Sequence, residues 1–171
     1  MEKIMTTRRE LLAAPLLAAL PMALAAGKAG AAPDPSMTIV KLSNEITWGR
    51  NAEFPEKSVE TALLWSKPSD AGIYYYLVKW HPGFMSAPHW YEEDRLCVVV
   101  SGTWWVASGD TFDVEATVPA PAGSFVRRVA RTPHYDGVRK DGTEPAVIAI
   151  CGMGPITFHN AEPGTPGWRK L

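Results

Sequence analysis

The chain has 171 residues, with 17 Lys and Arg against 18 Asp and Glu, which gives a formal net charge of -1. This balance excludes a strongly basic nucleic-acid binder, and 46% hydrophobic with 20% charged residues excludes a disordered chain. The 14 Gly and 15 Pro interrupt long helices and predict one compact, turn-rich domain.

The first 31 residues predict an export signal rather than part of the fold. Arg8-Arg9 precedes an apolar run from Leu11 to Ala26, in the manner of a twin-arginine signal. This run contains two prolines and is shorter than the ~20 apolar residues that a membrane span needs. Ala29-Gly30-Ala31 has the small residues of a cleavage site. We therefore expect a mature chain of residues 32–171 in the periplasm or otherwise exported, without a membrane anchor; the alternative is an uncleaved anchor.

After this signal the chain consists of short β-rich runs separated by turn residues. Turn sequences such as Pro82-Gly83 and Asp141-Gly142 lie between these runs. Several strands spaced roughly ten residues apart are typical of an all-β sandwich or barrel. A tail from Glu162 to Gly167 is expected to be an irregular strap, with Trp168 against the barrel. The predicted strands are Thr38–Leu42, Glu60–Ser66, Ile73–Trp80, Arg95–Ser101, Thr103–Ala107, Ser124–Val129 and Ala146–Cys151.

Both cysteines, Cys97 and Cys151, lie inside apolar predicted strands. An oxidising compartment would permit a disulfide between them, but the sequence does not show whether they come within bridging distance. Cysteine in an apolar strand commonly behaves as a small core residue, so we expect two buried thiols.

The stretch from Gly83 to Gly102 carries most of the candidate site residues. Alternation along an extended chain would place His89, Tyr91, Glu93 and Arg95 on one face. A second histidine, His134, follows a proline turn later in the chain. Two histidines on separate strands, flanked by aromatic residues, predict a small-molecule pocket.

These residues resemble the two sequence motifs of a single-domain cupin. The first motif runs Gly, five residues, His-x-His, three or four residues, Glu, six residues, Gly. Its spacing is kept from Gly83 through His89 and Arg95 to Gly102. The second motif, which ends in His, three residues, Asn, keeps its spacing from Gly123 through His134 to Val138. The resemblance implies a cupin-type double-stranded β-helix, an all-β jelly-roll barrel, over residues 32–171.

The chain departs from the cupin motifs at the metal ligands. In the usual cupin, two His and the Glu of the first motif bind one metal ion together with the His of the second. Here Tyr91 replaces the second His, and Arg95 replaces the Glu; arginine stays protonated and cannot ligate a metal. The resemblance therefore implies a site of His89, Tyr91 and His134 for one divalent ion, such as iron, manganese, nickel, copper or zinc. Glu93 is a candidate further ligand if the strand stays regular, or else a loop residue that faces solvent.

Three functions remain open at this point. The first is a metal-dependent dioxygenase, isomerase or decarboxylase that acts on a small carboxylate-bearing molecule, with Tyr91 as catalytic acid and Arg95 clamping the carboxylate. The second is a metal-free isomerase that uses His89 or His134 as base and Tyr91 as acid. The third is a non-catalytic module that binds a small anion through Arg95. In each case the partner is a small molecule, with neither nucleic acid nor a membrane, and a homodimer stays open.

Overall fold

The computed structural model describes residues 34–171, which form short β-strands and two one-turn 3-10 helices, Ser43–Glu45 and Val114–Ala116. The expected export signal lies outside the described residues. Within residues 34–171, no helix has the length and apolarity that crossing a membrane requires. The strands are Val59–Trp65 (β1), Gly72–Trp80 (β2), Phe84–Ser86 (β3), His89–Trp90 (β4), Arg95–Ser101 (β5), Thr103–Ser108 (β6), Val118–Pro121 (β7), Phe125–Arg128 (β8), His134–Val138 (β9), Ala146–Gly154 (β10), His159–Asn160 (β11) and Trp168–Lys170 (β12).

The strands form two antiparallel sheets. The first sheet has the order β1-β2-β10-β5-β8. The second has the order β11-β4-β9-β3-β12, with β6 paired to β9 and β7 paired to β6. β10 lies between β2 and β5, so chain-distant strands are neighbours in space, as in a jelly roll. The predicted all-β jelly-roll class is confirmed.

The core lies between the two sheets because each strand turns alternate side chains inward. In β5, Arg95, Cys97 and Val99 are buried while the intervening Leu96 and Val98 are exposed. One buried cluster contains residues of both sheets, including Tyr74, Val78, Val99 and Ile148 from the first and Trp104, Ala120 and Val138 from the second. This interior positions the candidate site.

Six of the seven predicted strands are present, with small differences at their ends. The predicted strand Thr38–Leu42 is wrong: its residues are exposed and form no strand. Its β-branched residues favour extended backbone, but a stable strand also needs a partner and a face to bury. The sequence pattern missed β3, β4, β11 and β12, which have only two or three residues each. It also missed β7, which has four residues and two prolines. β9 was missed because all five of its residues are buried and no alternation is visible.

Glycine is required at two places that fix the site. Gly102 turns the chain from β5 into β6 with a φ of +70°, and a β-carbon there would overlap the carbonyl oxygen of Pro145. Gly137 lies on β9, where a β-carbon would overlap the backbone of Phe84 and Met85 on β3. The close packing of β9 against β3 therefore depends on Gly137.

The two cysteines lie on opposite faces of the first sheet. Cys97 points into the core and is fully buried, whereas Cys151 is partly exposed on the outer face. Both are free thiols, as expected, although the prediction that Cys151 is buried is wrong. Side chains on opposite faces of one sheet cannot reach each other to form a disulfide.

Candidate functional site

A cavity of about 590 Å³ lies between the two sheets. Its volume is within the range of small-molecule pockets. The first sheet supplies residues of β1, β2, β5 and β10, and the second supplies Ser86, His89, Trp104 and Asp136. Two irregular segments, around Phe54 and Pro166, complete the wall. Aromatic side chains form much of its surface: Phe54, Tyr76, Trp80, Tyr91, Trp104, Phe158 and Trp168.

His89 presents an unprotonated nitrogen at the cavity wall. Its Nδ1 donates to the carbonyl oxygen of Ala87 at 2.8 Å. A carbonyl can only accept, so the ring is the tautomer whose Nε2 carries a lone pair. Burial lowers the pKa of His89 to about 4, which keeps the ring neutral at pH 7. The ring stacks on Phe158, with 4.7 Å between the centroids.

His134 lies directly opposite His89 in the register of β4 and β9, with ring centroids 4.5 Å apart. Its Nδ1 donates to the carbonyl oxygen of Thr132 at 2.9 Å, and its Nε2 accepts from the guanidinium of Arg95 at 2.7 Å. Burial, followed by the charges of His89 and Arg128, holds the pKa of His134 far below its usual value. His134 is thus a neutral ring with both nitrogens engaged.

Arg95 is a buried cation without a carboxylate partner in residues 34–171. Its side chain lines the cavity, and the residue is only 4% exposed. The guanidinium lies over the ring of Tyr91, 3.8 Å from its centroid, and donates to His134. Its Nε is buried and has no hydrogen-bond partner. A buried charge without a counterion is costly, and a guanidinium edge matches the two oxygens of a carboxylate.

Arg128 is the register partner of Arg95 on the neighbouring strand β8, and it is equally buried at 5% exposed. It forms a 2.9 Å ion pair with Asp136 and donates to the carbonyl oxygen of Ala107 at 3.1 Å. The other carboxylate oxygen of Asp136 accepts from the indole of Trp104 at 3.0 Å. The charge of this second arginine is therefore balanced inside the barrel, and both oxygens of Asp136 are engaged.

Tyr91 follows β4 directly and lines the cavity between His89 and Arg95. Its ring is edge-on to that of His89, with 5.3 Å between the centroids. Burial raises the pKa of Tyr91, so the side chain remains a phenol at neutral pH. A neutral phenol can donate a hydrogen bond or a proton to a ligand in the cavity.

The comparisons with known proteins identify the fold. Neither a family model nor a curated protein matches the sequence. Among solved structures, the polyketide cyclase RemF from Streptomyces resistomycificus matches with a TM-score of 0.63 and 13% identity, over 77% of this chain and 90% of that one. An RmlC-like cupin protein from Ralstonia eutropha JMP134 has a TM-score of 0.55 and 19% identity, over 71% of each chain. KdgF from Halomonas sp. has a TM-score of 0.50 and 17% identity, over 67% of this chain and 92% of that one.

The fold is a cupin barrel. At these identities the likeness establishes the fold alone. The two cupin motif spacings predicted this barrel correctly, although several of the motif residues differ.

Within residues 34–171, one cluster beside the cavity has metal-ligand chemistry, and it differs from the predicted one. His89, His134 and Asp136 each offer a ligand atom, all within 4.8 Å of one another. Asp136 thus takes the place that the sequence analysis gave to Tyr91. However, Nε2 of His134 already accepts from Arg95, and Asp136 already neutralises Arg128. Only the Nε2 of His89 is free of a hydrogen-bond partner in this set, and a guanidinium lies alongside, so the donor set does not fit a divalent cation.

The structure brings together four of the five residues that the sequence placed at the site. His89, Tyr91 and Arg95 line the cavity, and His134 lies behind Arg95. The regular alternation expected between them is wrong, because β4 ends at Trp90 and a turn precedes β5. Glu93 lies in this turn and is exposed, so its alternative assignment as a solvent-facing loop residue is confirmed.

Sequence reasoning missed Asp136 and Trp104. Asp136 lies two residues after His134 on β9, a spacing that places both on one face of a strand. This signal was visible once His134 was assigned to a strand. Trp104 carried no such signal, because its indole reaches Asp136 only through the pairing of β6 with β9.

Proposed function

We propose that this protein is an exported cupin that binds a small organic carboxylate inside its barrel, with the carboxylate on Arg95. The observation that carries the proposal is the unbalanced buried charge of Arg95, beside an Arg128 whose charge Asp136 neutralises. A bound carboxylate would accept from the terminal nitrogen of Arg95 that His134 does not engage. It would also neutralise the charge.

The local charge favours an anion over a metal ion. Two guanidiniums and one carboxylate lie at this end of the barrel, and both histidines are neutral at pH 7. The buried side chains of the site therefore carry a net positive charge, while the further carboxylate of the cavity wall, Glu53, is exposed. The buried positive charge attracts a carboxylate and repels a divalent cation.

The wall of the cavity indicates what the rest of the ligand is. The ring faces and edges of Tyr76, Trp80 and Trp104 suit an apolar, flat body rather than a sugar or a phosphate ester. Aromatic monocarboxylates combine such a body with one anionic end. We therefore assign the ligand to this class.

Calorimetric titration with matched acids and amides tests this assignment. Benzoate and 2-naphthoate are compared with benzamide and 2-naphthamide on the wild-type protein, Arg95→Gln and Arg127→Gln. A charge-assisted pair contributes roughly 1.5–3 kcal/mol, so each acid should bind at least about tenfold more tightly than its amide. Arg95→Gln should abolish this preference. Arg127→Gln is the matched control, because Arg127 is exposed and pairs with Asp94 away from the cavity wall.

Two results would contradict the proposal. One is equal affinity for acids and amides, or an acid preference that survives in Arg95→Gln. The other is a stoichiometric transition metal in protein purified without chelators or metal-affinity resin, because a metal would have to displace Arg95 from His134. The proposed export is tested independently of ligand binding. Replacing Arg8 and Arg9 by Lys should retain the precursor in the cytoplasm, and unchanged export would refute the proposed signal.

A second candidate function is metal-free acid–base isomerisation, which the geometry of His89 and Tyr91 favours. His89 offers an unprotonated Nε2, and Tyr91 offers a phenolic proton, in the same cavity that Arg95 lines. With an aromatic 2-oxo acid held at Arg95, His89 would take a proton from C3 while Tyr91 protonates the C2 carbonyl oxygen. This gives the enol, with His89 protonated and Tyr91 deprotonated. In D2O the proton on His89 exchanges with solvent, and the reverse transfers then return the 2-oxo acid with deuterium at C3 and restore both side chains.

Deuterium exchange tests this second function. In D2O the wild-type protein should speed deuterium incorporation at C3 of phenylpyruvate above the rate in buffer, as followed by proton NMR. His89→Gln and Tyr91→Phe should each lose most of this acceleration while keeping the preference for 2-naphthoate over its amide. Exchange at the buffer rate with intact carboxylate binding would leave ligand binding as the function.

A further inference from the structure

The outer face of the first sheet is apolar, although it faces away from the core. The register aligns its outward side chains in rows that cross the strands. One row runs through Trp65, Tyr75, Cys151 and Leu96. The next contains Leu77, Ala149, Val98 and Phe125. An antiparallel sheet with one face on the core usually alternates to polar residues on the other face. This sheet instead has apolar residues through the middle of its outer face, with Glu60 and Lys79 at one end and Arg127 on the edge strand β8.

Among residues 34–171, the chain covers one part of this face with its own side chains. Ile46 and Trp48 pack over Ala62, Leu77 and Ala149. The remaining part, which we call the bare patch, contains eight large apolar side chains that are each at least 39% exposed within the described chain. They are Trp65, Ile73, Tyr75, Leu96, Val98, Val100, Phe125 and Met153.

We propose that the bare patch is the interface of a homodimer, in which a second copy of this chain covers it. The eight side chains expose on the order of 800 Å², which is the area that each partner contributes to a standard interface and exceeds the usual patch on a monomer. None of the eight is charged, so the patch suits a second apolar surface rather than a nucleic acid or an anionic partner. At its edge, Arg127 pairs with Asp94 at 2.7 Å, which supplies a polar rim.

The sheet order places a useful probe near the centre of this interface. Cys151 is on β10, the central strand of the first sheet, and it is partly exposed on the outer face. A twofold axis through the patch would bring Cys151 close to the partner's Cys151, because isologous interfaces repeat the same residues around the axis. Facing sheets lie roughly 10 Å apart, which a short bismaleimide spans and a disulfide does not.

Sedimentation equilibrium of the full chain tests the assignment. The wild-type protein should have twice the monomer mass at micromolar concentration. Val98→Asp and Phe125→Asp introduce charge into the patch and should each raise the dimer dissociation constant by roughly 30-fold or more. Val118→Asp is the matched control, because Val118 is exposed on β7 of the other sheet, and this variant should stay dimeric.

Cross-linking supplies a readout that needs no destabilising variant. A short bismaleimide should convert the wild-type protein to a covalent dimer, and Cys151→Ser should abolish the product while Cys97, which is buried, stays unreacted. A wild-type monomer up to about 100 µM would overturn the proposal, as would a dimer that both aspartate variants leave intact. A monomer whose patch is shielded from labelling would mean that residues 1–33 cover it, which equally overturns it. Carboxylate binding at Arg95 does not depend on this result.

Discussion

Arg95 and Arg128 are neighbours across two adjacent strands, and the difference between them defines the site. Both are about 95% buried and both point into the barrel. Arg128 has a carboxylate partner, Asp136, at 2.9 Å, whereas Arg95 has a neutral histidine and the face of a tyrosine. In the first arrangement, the charge of the arginine is balanced within the fold. The second leaves a buried charge that no carboxylate within residues 34–171 balances.

This difference has an energetic consequence. A buried ion pair is costly to break because the remaining charge has no compensation. An unpaired buried cation already bears that cost in the folded state, and the proposed anion would relieve it at Arg95. The two arginines should therefore respond in different ways to the same substitution.

Replacing Arg128 should have the largest effect. Arg128→Met removes the partner of Asp136 and leaves a carboxylate that is 6% exposed without a countercharge. The free energy of unfolding should fall by about 3–5 kcal/mol, as measured by urea denaturation followed by circular dichroism. Arg95→Met is the matched comparison and should change it by no more than about 1 kcal/mol, since it removes a charge that lacks a partner. An equal loss of unfolding free energy in the two variants would contradict the proposed difference between the two arginines.

Acid should destabilise the fold through the histidines beside Arg95. An unfolded histidine titrates near pH 6.5, whereas burial lowers the pKa of His89 to about 4. Between these values the unfolded chain binds more protons, so stability is complete above about pH 6.5 and falls as the pH drops toward 4. The loss from His89 alone is about 3 kcal/mol. Urea denaturation from pH 7.5 to 4.5 should show this slope, and His89→Gln should reduce it; a wild-type slope of zero would contradict the account.

Arg95→Glu should convert the unpaired site into one that favours a cation. The substitution frees Nε2 of His134 and adds a carboxylate to the cluster of His89, His134 and Asp136. Zinc affinity, measured by competition with a chromophoric chelator, should rise at least about tenfold over the wild-type protein. Arg95→Gln is the control, because it removes the cation without adding a ligand. An unchanged affinity in Arg95→Glu would mean that the charge of Arg95 does not govern ion preference.

The sequence predicted the barrel better than it predicted the site. β5 was predicted with its observed ends because its inward and outward residues alternate, and the glycines of the two motifs mark turns. His89, Tyr91, Arg95 and His134 could be named from motif spacing alone. The chemistry of these residues could not be predicted, because it depends on which arginine pairs with Asp136. Side-chain packing between β8 and β9 places Arg128, rather than Arg95, against this carboxylate. The sequence did not reveal the exposed apolar face of the first sheet either. A strand with one apolar face exposed can have the same composition as a strand that is covered on both faces.

The most direct test is a crystal structure of the wild-type protein with 2-naphthoate. The naphthyl ring should lie among Tyr76, Trp80 and Trp104, with the carboxylate within hydrogen-bond distance of a terminal nitrogen of Arg95. Arg128 should keep its ion pair with Asp136 unchanged. A carboxylate bound elsewhere, or an ion held by His89 and His134 with Arg95 displaced, would contradict the central claim that Arg95 is the anion-binding residue.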